Sequence, residues 1–288
     1  MIDHIVQYLQ CPHCSEPLSR RDSSLECGSR HAFDIAKQGY VSLIRHSSRK
    51  FSGDTAEMIA ARGELFASGH YAPIQEAVSN AATHHVSSSV AAPVVADIGA
   101  GSGDYLRPIL DSLPGATGIG LDVSKPAARR LSRAHPRVGA VVADVWDSLP
   151  IRDNTVDIAL SVFAPRNVAE TARILVPQGK WIIVTPRHDH LRELTMIEGV
   201  VTVDGRKQQR LADTLKAQFE QVETTAVEER LTLTLHDAEL LLAMGPTAHH
   251  LDASERRTAI SDAMAAAGSE ANLDITLAVD ISVFVTAS

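Results

Sequence analysis

A glycine-rich stretch in the first half of the chain most narrows the folds open to it. Its first part, residues 94–98, is apolar apart from one acid, which is the pattern of a strand buried in a parallel sheet. Three glycines follow at alternate positions: Gly99, Gly101 and Gly103. Glycine is needed where a backbone turns sharply and lies against a ligand without an intervening Cβ. Residues 106–113 then have helical spacing, so this strand, turn and helix predict a nucleotide-binding crevice at the end of a sheet.

The spacing of the glycines distinguishes between two kinds of nucleotide. The dinucleotide fingerprint G-x-G-x-x-G requires a third glycine at position 104, where this chain has Asp104, and this disfavours a dehydrogenase. The observed pattern is G-x-G-x-G, with Asp97 two residues before the first glycine. This pattern resembles motif I of the class I S-adenosylmethionine-dependent methyltransferases, whose loop passes the amino acid part of the cofactor. The resemblance implies S-adenosylmethionine as cofactor.

Two further acids end the apolar runs that follow. Asp122 closes residues 118–121, at the position from which a carboxylate accepts hydrogen bonds from both ribose hydroxyls. Asp144 closes residues 138–143, where the methyltransferase family holds the adenine amino group. A lone glycine loop can be a plain strand-to-helix turn, but acids at three strand ends favour a cofactor site. The residues predicted to hold the cofactor are Asp97, Gly99, Gly101, Gly103, Asp104, Tyr105, Asp122, Val123, Asp144 and Val145.

Length and composition allow one large domain and one small module. The chain has 288 residues, of which 44% are hydrophobic, so it can build a core of ordinary size. No apolar run approaches the roughly 18 uncharged residues of a membrane helix, and the first four residues are no signal peptide. We therefore expect a cytoplasmic protein with no membrane partner. The net charge of −8 disfavours broad electrostatic binding to nucleic acid, so any RNA contact must come from a local basic patch.

All three cysteines lie near the N-terminus, and an odd number fits a disulfide framework poorly. Cys11, Cys14, Cys27 and His31 have the spacing C-x2-C-x12-C-x3-H, which is typical of two knuckles that close a tetrahedral zinc site. Four protein ligands leave no open coordination position, so we expect one structural Zn²⁺ that supplies folding free energy to a small module. The alternatives are a redox Cys-x-x-Cys pair, or His13 in place of His31.

Basic residues cluster around the end of this module. Residues 31–44 alternate in polarity around Gly39 and are predicted to fold back on the knuckles as a small hairpin. The densest basic cluster of the chain lies on the loop between the knuckles and after the hairpin, and consists of Arg20, Arg21, Arg45, His46, Arg49 and Lys50. Such a cluster is either an RNA contact or simply a solvated face.

The order of these motifs resembles the RlmA-type 23S rRNA (guanine-N1)-methyltransferases over most of the chain. The N-terminal part shares the C-P-x-C knuckle and the run C-x3-H-x-F-D-x-A-K-x-G-Y-V-x-L. The other shared segments are residues 53–58, Arg62, and residues 69–71, 97–99, 120–125, 163–165, 185–186 and 190–194. Residues 244–250 are closer to the Gram-positive branch, which in some producers is linked to macrolide resistance. The chain departs from the family at Ala100, often a cysteine, and at residues 177–179, often Pro-Gly-Gly.

The resemblance implies methyl transfer from S-adenosylmethionine to N1 of a guanine in a 23S rRNA hairpin. It also raises the possibility of a homodimer. The residues expected to contact RNA are Arg45, Arg49, Lys50, Arg187 and His188. Two other functions stay open: a methyltransferase of a small molecule or protein with the zinc module as lid, and a non-catalytic RNA-binding protein.

No catalytic base is identified by the sequence. Phe163 and Ala164 follow the fourth predicted strand of the sheet, whose end faces the cofactor. The Phe163 ring can stack on an extruded guanine, and the Ala164 carbonyl can orient its edge. The alternative is a core aromatic followed by a helix that starts at Pro165. Asp54 is a candidate proton acceptor, with capping of its own helix as the alternative role.

These observations predict an α/β fold, a Rossmann-like class I methyltransferase sheet with an antiparallel edge strand, preceded by a small zinc-binding module. The predicted units are a zinc-binding RNA-recognition module (1–46), a helical linker region (47–93) and a methyltransferase domain (94–288). Two alternating segments, residues 231–235 and 275–285, are expected to form the antiparallel edge. Late helices are predicted over residues 189–196, 207–219, 237–244 and 254–267.

Overall fold

A computed structural model describes residues 2–45, 53–87, 89–194, 215–266, 268–269 and 271–287. Its strands are β1 (Ser19–Arg21), β2 (Ser24–Glu26), β3 (Ala32–Asp34), β4 (Val41–Ser42), β5 (Val94–Ile98), β6 (Thr117–Asp122), β7 (Val138–Val142), β8 (Val156–Val162), β9 (Leu175–Pro186), β10 (Phe219–Thr234) and β11 (Asn272–Thr286). Its α-helices are α1 (Ala56–Ala67), α2 (Ala72–His85), α3 (Leu106–Ser112), α4 (Lys125–Leu131), α5 (Val168–Ile174), α6 (Leu235–Ala243) and α7 (Ala253–Ala266). Short 3-10 helices are Val6–Tyr8, Arg192–Leu194 and Pro246–His249.

Eight of these strands form one mixed sheet in the order β10-β11-β9-β8-β5-β6-β7-β4. The central strands run parallel, whereas β11 is antiparallel to both β9 and β10. After β5 the chain builds outward through β6 and β7, and then crosses back to place β8 on the other side of β5. The topological switch point therefore lies at the carboxyl end of β5, where α/β sheets bind ligands. The predicted Rossmann-like sheet with an antiparallel edge is confirmed.

The core lies on both faces of this sheet, because successive side chains of a strand point to opposite sides. On β9, Ile182 and Val184 join the apolar cluster formed with α1, α2, α3, α6 and α7. Trp181 and Ile183 of the same strand join the opposite cluster, formed with α5 and the N-terminal segment. No helix in the described part of the chain is long and apolar enough to cross a membrane.

The N-terminal segment is joined directly to the large sheet. Val41 and Ser42 of β4 pair in parallel with the end of β7, and the Leu43 N–H donates to the Val142 carbonyl at 2.9 Å. The chain reverses at Gly39 as predicted, and Ile35 bridges to Val41. The hairpin prediction is nevertheless only partly right, because the second arm extends the edge of β7 instead of returning to the knuckles.

Several helix predictions need correction. The helix predicted over residues 189–196 is, in its described part, a 3-10 turn at Arg192–Leu194 that follows a left-handed residue, Leu191 (φ 56°). Residues 207–214 lie outside the described residues, and Phe219, the predicted helix end, begins β10 instead. Ser254 is not the cap of α7, because Asp252 Oδ1 accepts from the N–H groups of Ser254 and Glu255 at 2.8 and 2.9 Å.

The sequence shows no partner pattern for the two histidines at the end of α2, His84 and His85, and therefore predicts that both are exposed. His84 is exposed, but His85 Nε2 lies 2.7 Å from Glu223 Oε2 on the edge strand β10. The prediction is wrong for His85, because β10 is far away in sequence and its position beside α2 is set by the sheet order.

Candidate active site and zinc centre

The glycine turn after β5 has the geometry of a ligand cradle. Gly99, Gly101 and Gly103 have φ values of 86°, 54° and 88°, the left-handed region that glycine adopts without strain. A Cβ on Gly99 would lie 2.6 Å from the Cβ of Ala164, which is too close for any side chain. The turn is tied to β6, because the N–H groups of Gly99 and Ala100 both donate to the Leu121 carbonyl.

Asp122, at the end of β6, connects this turn to the next one. Its Oδ2 accepts from the Gly101 N–H and its Oδ1 from the Ser124 N–H, both at 2.8 Å. Burial raises the pKa of Asp122, although these two backbone donors act in the opposite direction. Each carboxylate oxygen keeps a further lone pair, so the group is held rigidly and can still accept from the two hydroxyls of a ribose.

Asp97, at the end of β5, is a buried carboxyl group that lacks a counter-charge. It is 1% exposed, and its Oδ1 has no hydrogen-bond partner in the part of the chain that the structure describes. The pKa of Asp97 is raised to about 8, chiefly by burial and in smaller part by the charges of Asp122 and Asp104. An enclosed acid without a partner is costly, so this position fits a cationic ligand such as the ammonium or sulfonium group of S-adenosylmethionine.

The remaining predicted cofactor residues lie on the turns that follow β5, β6 and β7. Asp104 accepts from the Ser102 hydroxyl at 2.5 Å, and the buried Tyr105 hydroxyl has no partner among the described residues. Asp144 Oδ1 accepts from the Trp146 N–H at 2.9 Å, which shapes the turn after β7. Val123 lies against the segment before α1, because a Cβ on Gly53 would come within 2.8 Å of its Cγ1.

Arg62 on α1 reaches the glycine turn, although no role of its own is predicted for it from the sequence. Its Nη2 lies 2.6 Å from Asp54 Oδ2 and donates to the Met244 carbonyl at 3.0 Å. Its Nη1 is 2.9 Å from the position that a Cβ on Gly101 would occupy. The packing of α1 and α6 against each other brings these groups together, and sequence spacing cannot reveal that packing.

Asp54 is engaged in two ways that the sequence did not predict. The N-cap of α1 is Thr55, whose Oγ1 accepts from the Met58 N–H at 3.2 Å, so the capping role considered for Asp54 is wrong. Its carboxylate pairs with Arg62 instead, and its carbonyl accepts from the Ser124 hydroxyl at 2.6 Å. In this arrangement the Asp54 carboxylate is already paired with an arginine.

Phe163 is exposed at the mouth of the crevice, so the alternative of a core aromatic is wrong. It keeps 43% of its surface exposed and has φ of 51°, a strained backbone for a non-glycine residue. Its ring stacks on His190, with centroids 5.8 Å apart and planes 23° apart. Pro165 does not start a helix either, because α5 begins at Val168 after the Asn167 cap.

His190 supports the Phe163 ring as a neutral side chain. Its Nδ1 accepts from the Ala278 N–H at 3.2 Å, and burial lowers the pKa of His190 to about 4. Since Nδ1 is the acceptor, the single proton of the neutral ring is on Nε2. His190 is therefore a hydrogen-bond donor at the crevice and not a general base.

The turns after β7 and β8 are held together by one side chain. Asn167 Nδ2 donates to the carbonyls of Val145 and Asp147 at 2.9 and 3.2 Å. Trp146 lies between these two residues and keeps 46% of its surface exposed. Sequence reasoning overlooked this indole, although an aromatic residue two positions after a strand-end acid is a signal that could have drawn attention to it.

The four predicted metal ligands converge in the N-terminal segment. The ligand atoms of Cys11, Cys14, Cys27 and His31 all lie within 4.8 Å of one another. His31 Nδ1 is 3.5 Å from Cys11 Sγ and 3.4 Å from Cys27 Sγ, and the sulfurs of Cys14 and Cys27 are 3.6 Å apart. Ligands of a tetrahedral zinc ion at its usual bond lengths are separated by about 3.3–3.8 Å. The cluster therefore fits one closed, structural Zn²⁺.

His13 is beside this cluster but is not a member of it. Its ring packs against His31, with centroids 5.0 Å apart, and stacks on Phe33. The two turns are tied by Glu16, whose Oε2 accepts from the Ser29 N–H at 2.7 Å. The alternative of His13 as fourth ligand is wrong, because among the described residues the ligand atoms that converge on the three sulfurs include His31 and not His13.

The predicted RNA-binding residues are only partly within the described chain. Arg45 is exposed directly after β4, whereas His46, Arg49 and Lys50 lie outside the described residues. At the end of β9, His188 exposes 91% of its side chain. Arg187 is partly neutralised, because its guanidinium is 3.8 Å from Asp189 and 3.6 Å from Glu228.

Comparison with known proteins agrees with this geometry. Residues 95–179 match a family model described as a methyltransferase domain, and residues 9–48 match the zinc ribbon described as RlmA, N-terminal. Among solved structures, the MccD protein has a TM-score of 0.50 at 15% identity, covering 74% of this chain and 97% of that one. A chain from the complex of the Haloferax volcanii Trm112 methyltransferase activator with a methyltransferase has a TM-score of 0.50 at 21% identity, covering 83% and 100%.

Fold and site together define a class I S-adenosylmethionine-dependent methyltransferase with an N-terminal zinc ribbon. The 23S rRNA (guanine(748)-N(1))-methyltransferase of Streptomyces fradiae is 46% identical over 266 residues, 91% of this chain and 93% of that protein. A relative from Micromonospora griseorubida, named for the same type of reaction, is 44% identical over 86% of this chain and 89% of its own. The chain belongs to the RlmA-type 23S rRNA (guanine-N1)-methyltransferase family.

Proposed function

We propose that this protein transfers a methyl group from S-adenosylmethionine to N1 of a guanine in a 23S rRNA hairpin. The observation that carries the proposal is the crevice at the switch point of the sheet. There Asp97 is buried without a counter-charge, and Asp122 is fixed by two backbone donors. Family membership supplies the substrate class.

We assign the cofactor to the ten residues predicted from the sequence, together with Arg62. Asp122 would accept from the ribose hydroxyls, Asp144 from the adenine amino group, and Asp97 would face the cationic end. Arg62 lies over Gly101, so its Nη1 can bind the cofactor carboxylate while its Nη2 stays paired with Asp54. The cofactor supplies an electrophilic methyl group on a sulfonium, so the protein has mainly to align guanine N1 with it.

Phe163 and Ala164 form the floor on which the target base would rest. The exposed Phe163 ring, braced by His190, offers a face for stacking on an extruded guanine. Ala164 contacts the glycine turn, so a base held here is adjacent to the cofactor. The exposed indole of Trp146 offers a second aromatic surface for a flanking base.

The proton on guanine N1 must leave as the N–C bond forms and the S–C bond breaks. Among the described crevice residues Asp54 is paired with Arg62, the free nitrogen of His190 carries a proton, and Asp97 is enclosed beneath the glycine turn. We therefore assign no side chain as general base and expect water to take this proton.

Methylation of a small molecule or protein, with the zinc module as a moving lid, is the second candidate. The pairing of β4 with β7 and the bridge between Leu9 and Ile151 oppose it, because they attach the zinc module to the rest of the protein at two places, one on the sheet and one on the β7–β8 connection. The resemblance to the family also suggests a homodimer that works in the cytoplasm on ribosomal RNA. Sedimentation equilibrium of the zinc-loaded protein tests the dimer.

Nucleoside mass spectrometry tests the reaction itself. Unmodified 23S rRNA is incubated with the protein and S-adenosylmethionine, digested and compared with a sample that lacks cofactor. The proposal predicts cofactor-dependent 1-methylguanosine. Cofactor binding without any methylated guanosine would contradict the RNA reaction and favour the second candidate.

A further inference from the structure

A groove opens beside the active site, on the sheet face that carries α5 and the zinc module. Its volume is about 410 Å³, within the range of small ligand sites. Ile183 and Phe284 contribute apolar surface, and both pack in the cluster of that face. Three basic residues also line the groove: Arg166, Arg187 and His188.

Arg166 is an uncompensated cation in this groove. Its Nε is buried without an acceptor, and within the described chain no carboxylate or carbonyl bonds to its guanidinium. Burial lowers the pKa of Arg166 to about 10. Arg173, in the last turn of α5, is paired instead, because it lies 2.7 Å from Glu170 and 2.6 Å from Asp153. A largely buried guanidinium without a partner is costly, and a bound anion would supply the missing charge.

The groove starts where the target base would lie. Arg166 is two residues after Ala164, which contacts the glycine turn, and the adjacent Asn167 fixes the loop by bonding to Val145 and Asp147. His188 follows the end of β9, so the groove reaches the same edge of the sheet as the crevice.

The other charges in the groove limit it to one anionic group. Arg187 is already shared with Asp189 and Glu228, and Asp280 adds a carboxylate to the lining. A polyanion lying along the whole groove would meet this acid, whereas a single phosphate at Arg166 would not need to.

We propose that Arg166 binds one backbone phosphate of the RNA, on a nucleotide that flanks the methylated guanine, with the sugar in the groove. The guanidinium presents a planar fork that matches two phosphate oxygens. The proposal rests on the proposed function. It makes Arg166 a substrate-binding residue that holds the strand while the base is out of the helix.

The test compares Arg166→Met with Arg230→Met in the full-length, zinc-loaded protein. Arg230 is an exposed cation on β10, paired with Asp274 at 3.6 Å, so its removal changes the net charge equally outside the groove. Dissociation constants for the 23S rRNA fragment that the wild type methylates are measured at several salt concentrations. Cofactor affinity and melting temperature are measured alongside.

Arg166→Met should weaken RNA binding about ten-fold at physiological salt and reduce the slope of log K against log salt by about 0.7–0.9. Cofactor affinity should not change, and the melting temperature should stay level or rise because an unpaired buried charge is gone. Arg230→Met should leave RNA affinity within about two-fold of the wild type.

Three results would overturn the assignment. The first is unchanged RNA affinity and salt slope in Arg166→Met, and the second is an equal loss of RNA affinity in Arg230→Met. The third is a fall in the melting temperature of Arg166→Met with loss of cofactor binding, which would mark a structural arginine.

Inorganic phosphate is titrated as a competitor: if Arg166→Met alters phosphate binding but not RNA binding, the groove binds free phosphate. If the wild type methylates no RNA, the proposed function fails; if it does and Arg166→Met binds normally, only this inference fails.

Discussion

At the scale of single residues, the active site depends on two acids that play different parts. Asp97 is enclosed beneath the glycine turn with an unpartnered oxygen, while Asp122 uses both oxygens to join two turns. Burying Asp97 costs free energy in the free protein, and this acid gains a partner when a cationic ligand binds. Asp122 instead holds the turns of the site in place. Because their roles differ, we expect Asp97 to affect the pH dependence of stability and Asp122 to affect cofactor affinity.

Asp97 should make the cofactor-free protein less stable as the pH rises. With a folded pKa of about 8 against 3.8 when unfolded, it keeps a proton in the folded state that the unfolded chain releases between these values. Its contribution to the free energy of unfolding therefore falls through this window, by about 1.4 kcal/mol per pH unit, and levels off above pH 8. Urea unfolding of wild type and Asp97→Asn from pH 5 to 8 measures the difference. We expect the free energy of unfolding of the wild type, minus that of Asp97→Asn, to fall as the pH rises. A value that stays flat or grows with pH would contradict this account.

Phe163 should contribute to RNA turnover and not to stability. Because its ring is 43% exposed, Phe163→Leu should change the free energy of unfolding by less than about 0.5 kcal/mol. Loss of one base-stacking surface costs about 1–3 kcal/mol, so kcat/KM for RNA should fall about ten- to a hundred-fold. Phe163→Tyr keeps the ring and is the matched control. Equal turnover by the leucine and tyrosine variants would argue against stacking.

At the scale of elements, the zinc module is attached to the catalytic sheet by a very short strand. β4 extends the edge of β7 with two residues, and Ile5 fills the space above Gly139 of that strand. A Cβ on Gly139 would lie 2.3 Å from Ile5 Cδ1, so the module packs there only because the position has no side chain.

Gly139→Val should therefore loosen the module from the sheet. The added side chain forces Ile5 away, and overpacking of this kind typically costs about 1–3 kcal/mol of stability. Limited proteolysis should then cleave between the module and α1 faster than in the wild type. Gly139→Val combined with Ile5→Ala gives the side chain room and should recover part of the loss; no recovery would place the damage elsewhere.

The sequence predicts the parts of the site that rest on local pattern. Acids at the ends of Val94–Ile98 and Thr117–Asp122 are readable because parallel strands bring their carboxyl ends to one edge. A two-residue strand such as β4 has no periodicity to detect. The pairing of Asp54 with Arg62, and the missing partner of Arg166, depend on how distant elements pack, so neither leaves a trace in spacing.

At the scale of the whole molecule, one zinc ion and one cofactor crevice are joined by the same sheet. Zinc holds the two knuckles together, and β4, which follows them in the chain, pairs with the edge of β7. The aromatic residues Phe163 and Trp146 are exposed, and so are the basic residues Arg45 and His188. The account therefore requires both sites for turnover and only the crevice for cofactor binding.

Metal analysis distinguishes His31, the assigned zinc ligand, from His13, which packs beside it. The protein should carry one zinc per chain. His31→Ala should lose it and lower the melting temperature, because structural zinc contributes its binding free energy to folding. His13→Ala should keep the metal, since that ring only packs against His31. Loss of zinc from the His13 variant alone would contradict the assignment of ligands.

Primer extension on 23S rRNA tests the central claim most directly. A methyl group on guanine N1 blocks base pairing, so wild-type protein with S-adenosylmethionine should produce one new stop beside a guanine. Asp122→Ala should lose that stop together with cofactor affinity, because its carboxylate both holds the glycine turn and faces the ribose. A wild type that binds the cofactor but gives no stop, or an Asp122→Ala protein that still produces it, would contradict the account.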